Sequence, residues 1–431
     1  MTDAPVAGHR HAPLVRLGRA LAALGAATAI ALAGATPAHA DTVRDLEYWL
    51  ADYGFTTAWN TTKGEGVTVA VIDTGVNGNV AELRGVVTGG TDVSGIGTPD
   101  GQTPVGDDPA HGTMVASLIA GRGTGEGSGV IGVAPEADLI TASVAFGQDT
   151  GAVQSNDDQI AEAVRWAVDS GADVINMSLT RNTPDWPESW DEAFTYAFEN
   201  DVVIVAAAGN RGSGTTQVGA PATIPGVLTV AGVDRDKNAS FDASSQGITI
   251  AVAAPSEALV GVLPDGSHVQ WDGTSGAAPI VSGLVALVRS EFPELDAANV
   301  IERLIRTADP HGHEVPSPLY GWGLIDPVTA LTAEVAKVEE NPLGSLEDWI
   351  TLHRRANVPE PSEGGQSEEI VPIADPPLPR SDGAQTLLPT AWTLAYITVP
   401  LSLVAGFGTL AALLGIGAIR HTRRTVRTRE Q

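Results

Sequence analysis

Four short runs in the first half of the chain are apolar at successive positions rather than at alternate ones. They are "VTVAVID" (67–73), "ADLITASVA" (137–145), "VINMSL" (174–179) and "VVIVAAA" (202–208). A strand buried on one face alternates, whereas one buried on both faces does not, so these runs predict interior strands of a parallel sheet. Helices are predicted over "HGTMVASLIAG" (111–121), "DDQIAEAVRWAVDS" (157–170) and the stretch that follows Ser275. Strand–helix alternation from about residue 66 to residue 331 implies an α/β fold, a three-layer α/β/α arrangement around a mostly parallel central sheet. "DTVRDLEYWLADYGFTTAW" (41–59) reads as a helix of the same domain and "SLEDWITLHRRA" (345–356) as one short helix. No internal repeat interrupts the pattern.

The two ends read differently. Residues 1–40 have a basic start (Arg10, Arg16, Arg19), an apolar middle and a small-residue "AHA" at 38–40. That order predicts a secretory signal peptide. After residue 356 the composition turns to Pro, Glu and Ser, which cannot bury a core and predicts a solvated stalk. No charged residue occurs between Asp382 and Arg420. An apolar stretch there, 394–419, exceeds the roughly 20 residues a bilayer crossing needs. The Arg-rich tail after it predicts a cytoplasmic end. The expected organisation is a signal peptide over 1–40, a catalytic-type domain over 41–338, a stalk over 339–390, a transmembrane helix over 391–419 and a basic tail over 420–431. Together these predict a single-pass protein of the cell membrane with its main domain outside.

Composition adds two constraints. The net charge is −28 and both termini are basic, so the acidity is concentrated between them. Such a surface repels nucleic acid; it reads as a solvated face, with a preference for basic substrates as the alternative. There is no cysteine, which removes disulfides and thiolate metal sites.

Parallel α/β sheets gather ligands at the carboxyl ends of their strands. Asp73 ends the first apolar run, Ser178 lies near the end of the third, and Asn210 follows the fourth, while His111 and Ser275 begin helices. Each alone has an ordinary reading: a turn Asp, a helix-start His, a left-handed Asn, an N-cap Ser. All four contexts together, in the order Asp, His, Asn, Ser, point to nucleophilic catalysis.

"VAVIDTGV", "HGTMVASLIAG", "VINMSL", "VVIVAAAGN" and "DGTSGAAP" resemble the motifs of the subtilisin-like serine proteases, over about 66–331. The resemblance implies that Ser275 is the nucleophile and His111 the general base. It implies further that Asp73 orients His111 and that Asn210 is a side-chain donor to the oxyanion. It also implies peptide binding along Ser178, Leu179 and Thr180, opposite a strand that includes Gly151, with Ala208 and Gly209 forming another wall. Polypeptide is the expected substrate, and nucleic acid is not an expected partner.

Several positions depart from the family pattern. Thr180 stands where Gly is more usual, which predicts a pocket for small or slender side chains. Gly276 replaces a bulky residue, often Met, which removes an oxidisable group beside the nucleophile. The family often binds calcium in the loop after the histidine helix, but "RGTGEGSGVIG" (122–132) lacks the usual Asn ligands. No metal or cofactor is expected, and calcium elsewhere stays open. The short stretch between residue 41 and the first strand leaves no room for a folding prodomain. That feature, the anchor and the basic tail resemble the mycosins, membrane-anchored subtilases associated with type VII secretion, although mycosins generally carry disulfides. Secretion-complex components are then implied partners. A structural or binding role in a membrane complex, with proteolysis secondary or silent, is the alternative.

Overall fold

The computed structural model describes residues 42–147 and 149–354. The expected signal peptide, the stalk beyond residue 354, the span over 391–419 and the basic tail lie outside these residues. Three short helices come first: α1 (Thr42–Leu46), α2 (Tyr48–Asp52) and α3 (Phe55–Ala58). A single helix was expected over 41–59. It is broken at Glu47, whose backbone leaves helical geometry, and at Gly54, which takes a left-handed φ of 80°.

The alternation that follows carries the sheet. In chain order come β1 (Thr68–Asp73), β2 (Val87–Asp92), α4 (His111–Ala120), β3 (Asp138–Ser143), α5 (Asn156–Asp169), β4 (Val174–Met177), α6 (Glu188–Glu199), β5 (Val203–Ala207), β6 (Leu228–Val233) and β7 (Ile250–Pro255). A hairpin of β8 (Leu259–Val262) and β9 (His268–Trp271) leads into α7 (Thr274–Glu291). Three more helices follow: α8 (Ala297–Thr307), α9 (Pro327–Thr332) and α10 (Leu346–His353). Seven strands pair in the order β2-β3-β1-β4-β5-β6-β7, and all these pairings are parallel. The four apolar runs become β1, β3, β4 and β5, each trimmed by one to three residues. Every residue of β4, β5, β6 and β7 is buried, as strands covered on both faces require. On one side α7 packs on α4 and crosses β4 to β7; α5 and α6 pair with each other and lie against β1, β3 and β5.

Packed structure continues past residue 338, where the stalk was expected to begin. Leu346 is buried, and the Trp349 ring lies 4.3 Å from that of Trp186. Arg354 donates to the Trp186 carbonyl at 2.8 Å and meets Asp191 at 2.6 Å. A few large side chains in a polar stretch are enough to seat α10 on α6. Among the described residues no helix is long and apolar enough to cross a membrane.

The loop after α4 is held by a side chain from α1. Arg44 donates from Nη2 to the carbonyls of Ser128 (3.1 Å) and Gly129 (2.9 Å), and from Nε to Gly129 (3.1 Å). Glu47 Oε2 stands 2.9 Å from Arg44 Nε, and Glu47 Oε1 accepts from the Ile131 amide at 3.0 Å. A guanidinium thus occupies two carbonyl oxygens of the kind a hard cation would use as ligands. Charge-assisted bonds of this kind contribute about 1.5–3 kcal/mol each. Arg44→Ala is expected to lower the thermal midpoint and to speed amide exchange over residues 122–132. Unchanged exchange in that loop would contradict the assignment.

Candidate active site

Parallel pairing aligns the carboxyl ends of β1 and β4, and the chain leaving each delivers a polar group to the same rim. Asp73, the last residue of β1, is 1% exposed. Its carboxylate is held by the Thr74 amide, which donates to Oδ1 at 2.7 Å. His111 opens α4 and places Nδ1 2.9 Å from Asp73 Oδ1 and 3.0 Å from Oδ2. The approach of α4 to β1 depends on the next residue. The Gly112 amide donates to Thr74 Oγ1 at 3.0 Å, and a Cβ on Gly112 would sit 2.4 Å from the Gly75 carbonyl oxygen. Any larger residue would push the helix, and His111 with it, away from Asp73.

Ser275 lies in the first turn of α7, where backbone N–H groups have no helical acceptor. Pro279 explains how this turn is anchored. Proline has no N–H, so the carbonyl four residues earlier, that of Ser275, receives no helical hydrogen bond. Ser178 Oγ donates to it instead, at 2.9 Å. In return Ser275 Oγ donates to the Ser178 carbonyl at 3.2 Å. Behind this exchange, Asn176 Nδ2 donates to Ser178 Oγ (3.0 Å) and Ser282 Oγ donates to Asn176 Oδ1 (2.8 Å). A buried polar string therefore ties the end of β4 to the start of α7.

Asn210 follows β5 and is oriented by the residue before the serine. Its Oδ1 accepts from the Thr274 amide at 2.8 Å and from Thr274 Oγ1 at 2.9 Å. Thr274 Oγ1 in turn accepts from the Gly209 amide at 3.1 Å. With Oδ1 fixed this way, Asn210 presents Nδ2 as its free donor.

A cleft of about 480 Å³ opens beside these groups, lined by Asp73, His111, Ser178, Leu179, Thr180 and Asp108 among others. Gly151 lines an adjoining cavity of about 850 Å³, which shares Gly147, Asn156, Asp157 and Arg181 with the first. Ala208 and Gly209 line neither: both are buried, with the Ala208 amide donating to Val230 O and the Gly209 carbonyl accepting from Ser245 N. The Thr180 hydroxyl turns back to the Arg181 carbonyl at 2.9 Å, and Arg181 pairs with Asp157 across the junction of the two cavities. Thr274, Asn176, Asp108 and Trp271 were not singled out from sequence. Asn176 had left a signal, a lone amide within an apolar strand.

Opposing effects act on His111. Burial works against its charged form, but the charge and hydrogen bond of Asp73, helped by the charge of Asp108, outweigh it. The imidazole is held above the ordinary histidine value.

Residues 64–323 match the profile of the subtilase family, Peptidase S8. Subtilisin DY of Bacillus licheniformis is 37% identical over 267 residues, spanning 61% of this chain and 90% of that protein. Mycosin-4 of Mycobacterium tuberculosis is 36% identical over 320 residues, 64% of this chain and 67% of that one. The solved structure of the MycP3 protease from the type VII (ESX-3) secretion system matches with a TM-score of 0.57 at 36% identity, covering 66% of this chain and 88% of the other. The chain belongs to the subtilase family, and it is a subtilisin-like serine protease with mycosins among its relatives.

Proposed function

We propose that this protein is a membrane-anchored extracellular serine endopeptidase that cleaves peptide bonds through an acyl-enzyme on Ser275. The observation that carries this reading is the buried Asp73 carboxylate bonded to His111 Nδ1. That bond leaves Nε2 as the free nitrogen of a ring lining the cleft that Ser178 shares. Ser275 Oγ leaves the Ser178 carbonyl and attacks the substrate carbonyl carbon while His111 Nε2 takes its proton. The carbonyl oxygen gains charge between the Ser275 amide and Asn210 Nδ2, at the positive end of α7. His111 returns the proton to the leaving amine, and water repeats the sequence to release the acid. Extended substrate lies along Ser178, Leu179 and Thr180 as an added strand. Anchoring rests on the apolar stretch over 391–419 with its basic tail, and association with type VII secretion on the mycosin relatives.

A fluorophosphonate probe labels the wild type at Ser275 and fails to label Ser275→Ala, while Asn210→Ala lowers kcat by about 100- to 1000-fold, the general cost of losing one oxyanion donor. A wild type inert to the probe would leave only the structural role, which is read from export through a partner complex in Ser275→Ala cells. The active base is neutral His111, so kcat/KM climbs with pH as its proton leaves, with a midpoint above that of free histidine. Asp108→Asn removes a charge that favours the protonated ring and moves the midpoint to lower pH; a midpoint that stays or rises contradicts the assignment. At the residue before the cut, peptide-library profiling returns small or slender side chains because Thr180 narrows the pocket, and a profile dominated by Phe, Tyr or Leu refutes this.

A further inference from the structure

The space beside the nucleophile, which a side chain on residue 276 would use, is already filled by the hairpin. A Cβ on Gly276 would lie 2.3 Å from Leu259 Cδ1 and 3.4 Å from Trp271 Cζ2 and Cη2. Leu259 and Trp271 are direct partners in the β8–β9 register, so their side chains share one face. Leu259 is fully buried, and Trp271 is half-buried. The Trp271 ring then meets the imidazole of His111, with centroids 5.8 Å apart and planes at 77°. Its Nε1 is buried without a hydrogen-bond partner, a loss of stability that an aliphatic residue of similar reach would avoid.

We infer that Trp271 is a positioning residue, which holds the His111 imidazole in line for Ser275; this rests on the catalytic reading above. The bond from Nδ1 to Asp73 holds one edge of the ring at a single atom, about which the ring can still tilt. In this structure Ser275 Oγ bonds to Ser178, so no bond from the nucleophile restrains the opposite edge. The indole supplies that second restraint, and an edge-to-face arrangement is the preferred geometry of such a pair. The platform behind it is braced on both sides of the histidine. The Val262 amide donates to Ser117 Oγ on α4 at 3.2 Å, and Asn77 Nδ2 donates to the Pro264 carbonyl at 2.7 Å. His268 Nε2 lies 2.7 Å from Glu82 Oε1. Leaving β9, the chain passes directly into the turn that carries Ser275. One hairpin therefore registers the base against the nucleophile.

The test compares Trp271→Ala, Trp271→Leu and Trp271→Phe in the full chain, with peptide hydrolysis and thermal unfolding measured on each. A slightly misaligned base is expected to cost about 10- to 100-fold in kcat. Trp271→Leu shows that loss with little change in KM, and Trp271→Phe, which keeps a ring, recovers most of the activity. If Trp271→Ala fails to fold, the Leu and Phe variants decide alone. In a His111→Ala background, Trp271→Leu changes the residual rate by less than about twofold, because a residue acting through the base has nothing left to act on. An undiminished loss in that background, or a loss confined to KM, overturns the inference and makes Trp271 a substrate contact. Activity of His111→Ala equal to wild type would instead overturn the catalytic reading, whatever Trp271 does.

Discussion

The rim that gathers Asp73, Asn210 and Ser275 depends on a carbonyl that its own helix cannot satisfy. Pro279 denies the Ser275 carbonyl a helical donor, and Ser178 supplies one across the gap to β4. That single exchange joins the start of the longest helix in the described chain to a central strand. Because β4 pairs with β1 on one side and β5 on the other, fixing α7 to β4 also fixes it relative to Asp73 and Asn210. Asn176 and Ser282 extend the joint inward, where a half-satisfied network would cost more than an apolar contact.

The same rim holds its polar groups with unequal firmness. Asp73 is buried, and its Oδ1 accepts from both the amide and the hydroxyl of Thr74, so it has little freedom. Ser275 makes one longer hydrogen bond, which it can surrender. Asn210 has its acceptor atom committed and its donor atom uncommitted.

Much of this was legible in the sequence, for identifiable reasons. β1, β3, β4 and β5 are continuous apolar runs, and burial on both faces leaves that mark. β2, "VTGGTD", has two glycines and lies at the sheet's edge, where pairing with β3 rather than side-chain burial makes it a strand. β7, "IAVAAP", is rich in alanine, a poor strand former that serves here because α7 packs closely over it. Asp73, His111, Asn210 and Ser275 stood out because their local contexts are distinctive. Thr274 and Trp271 did not, since their roles exist only across contacts between distant segments. α10 was seen as a helix, but its seating on α6 depends on Trp349 meeting Trp186, which no local pattern encodes.

Arg44 has a consequence beyond its loop. An ion borrowed from solution leaves when its concentration falls or a stronger ligand competes, and the fold it braces then loosens. A guanidinium tethered by the backbone has no such dissociation equilibrium. The start of the domain is thereby fastened by a group written into the gene, which no chelator or competing ligand can carry away.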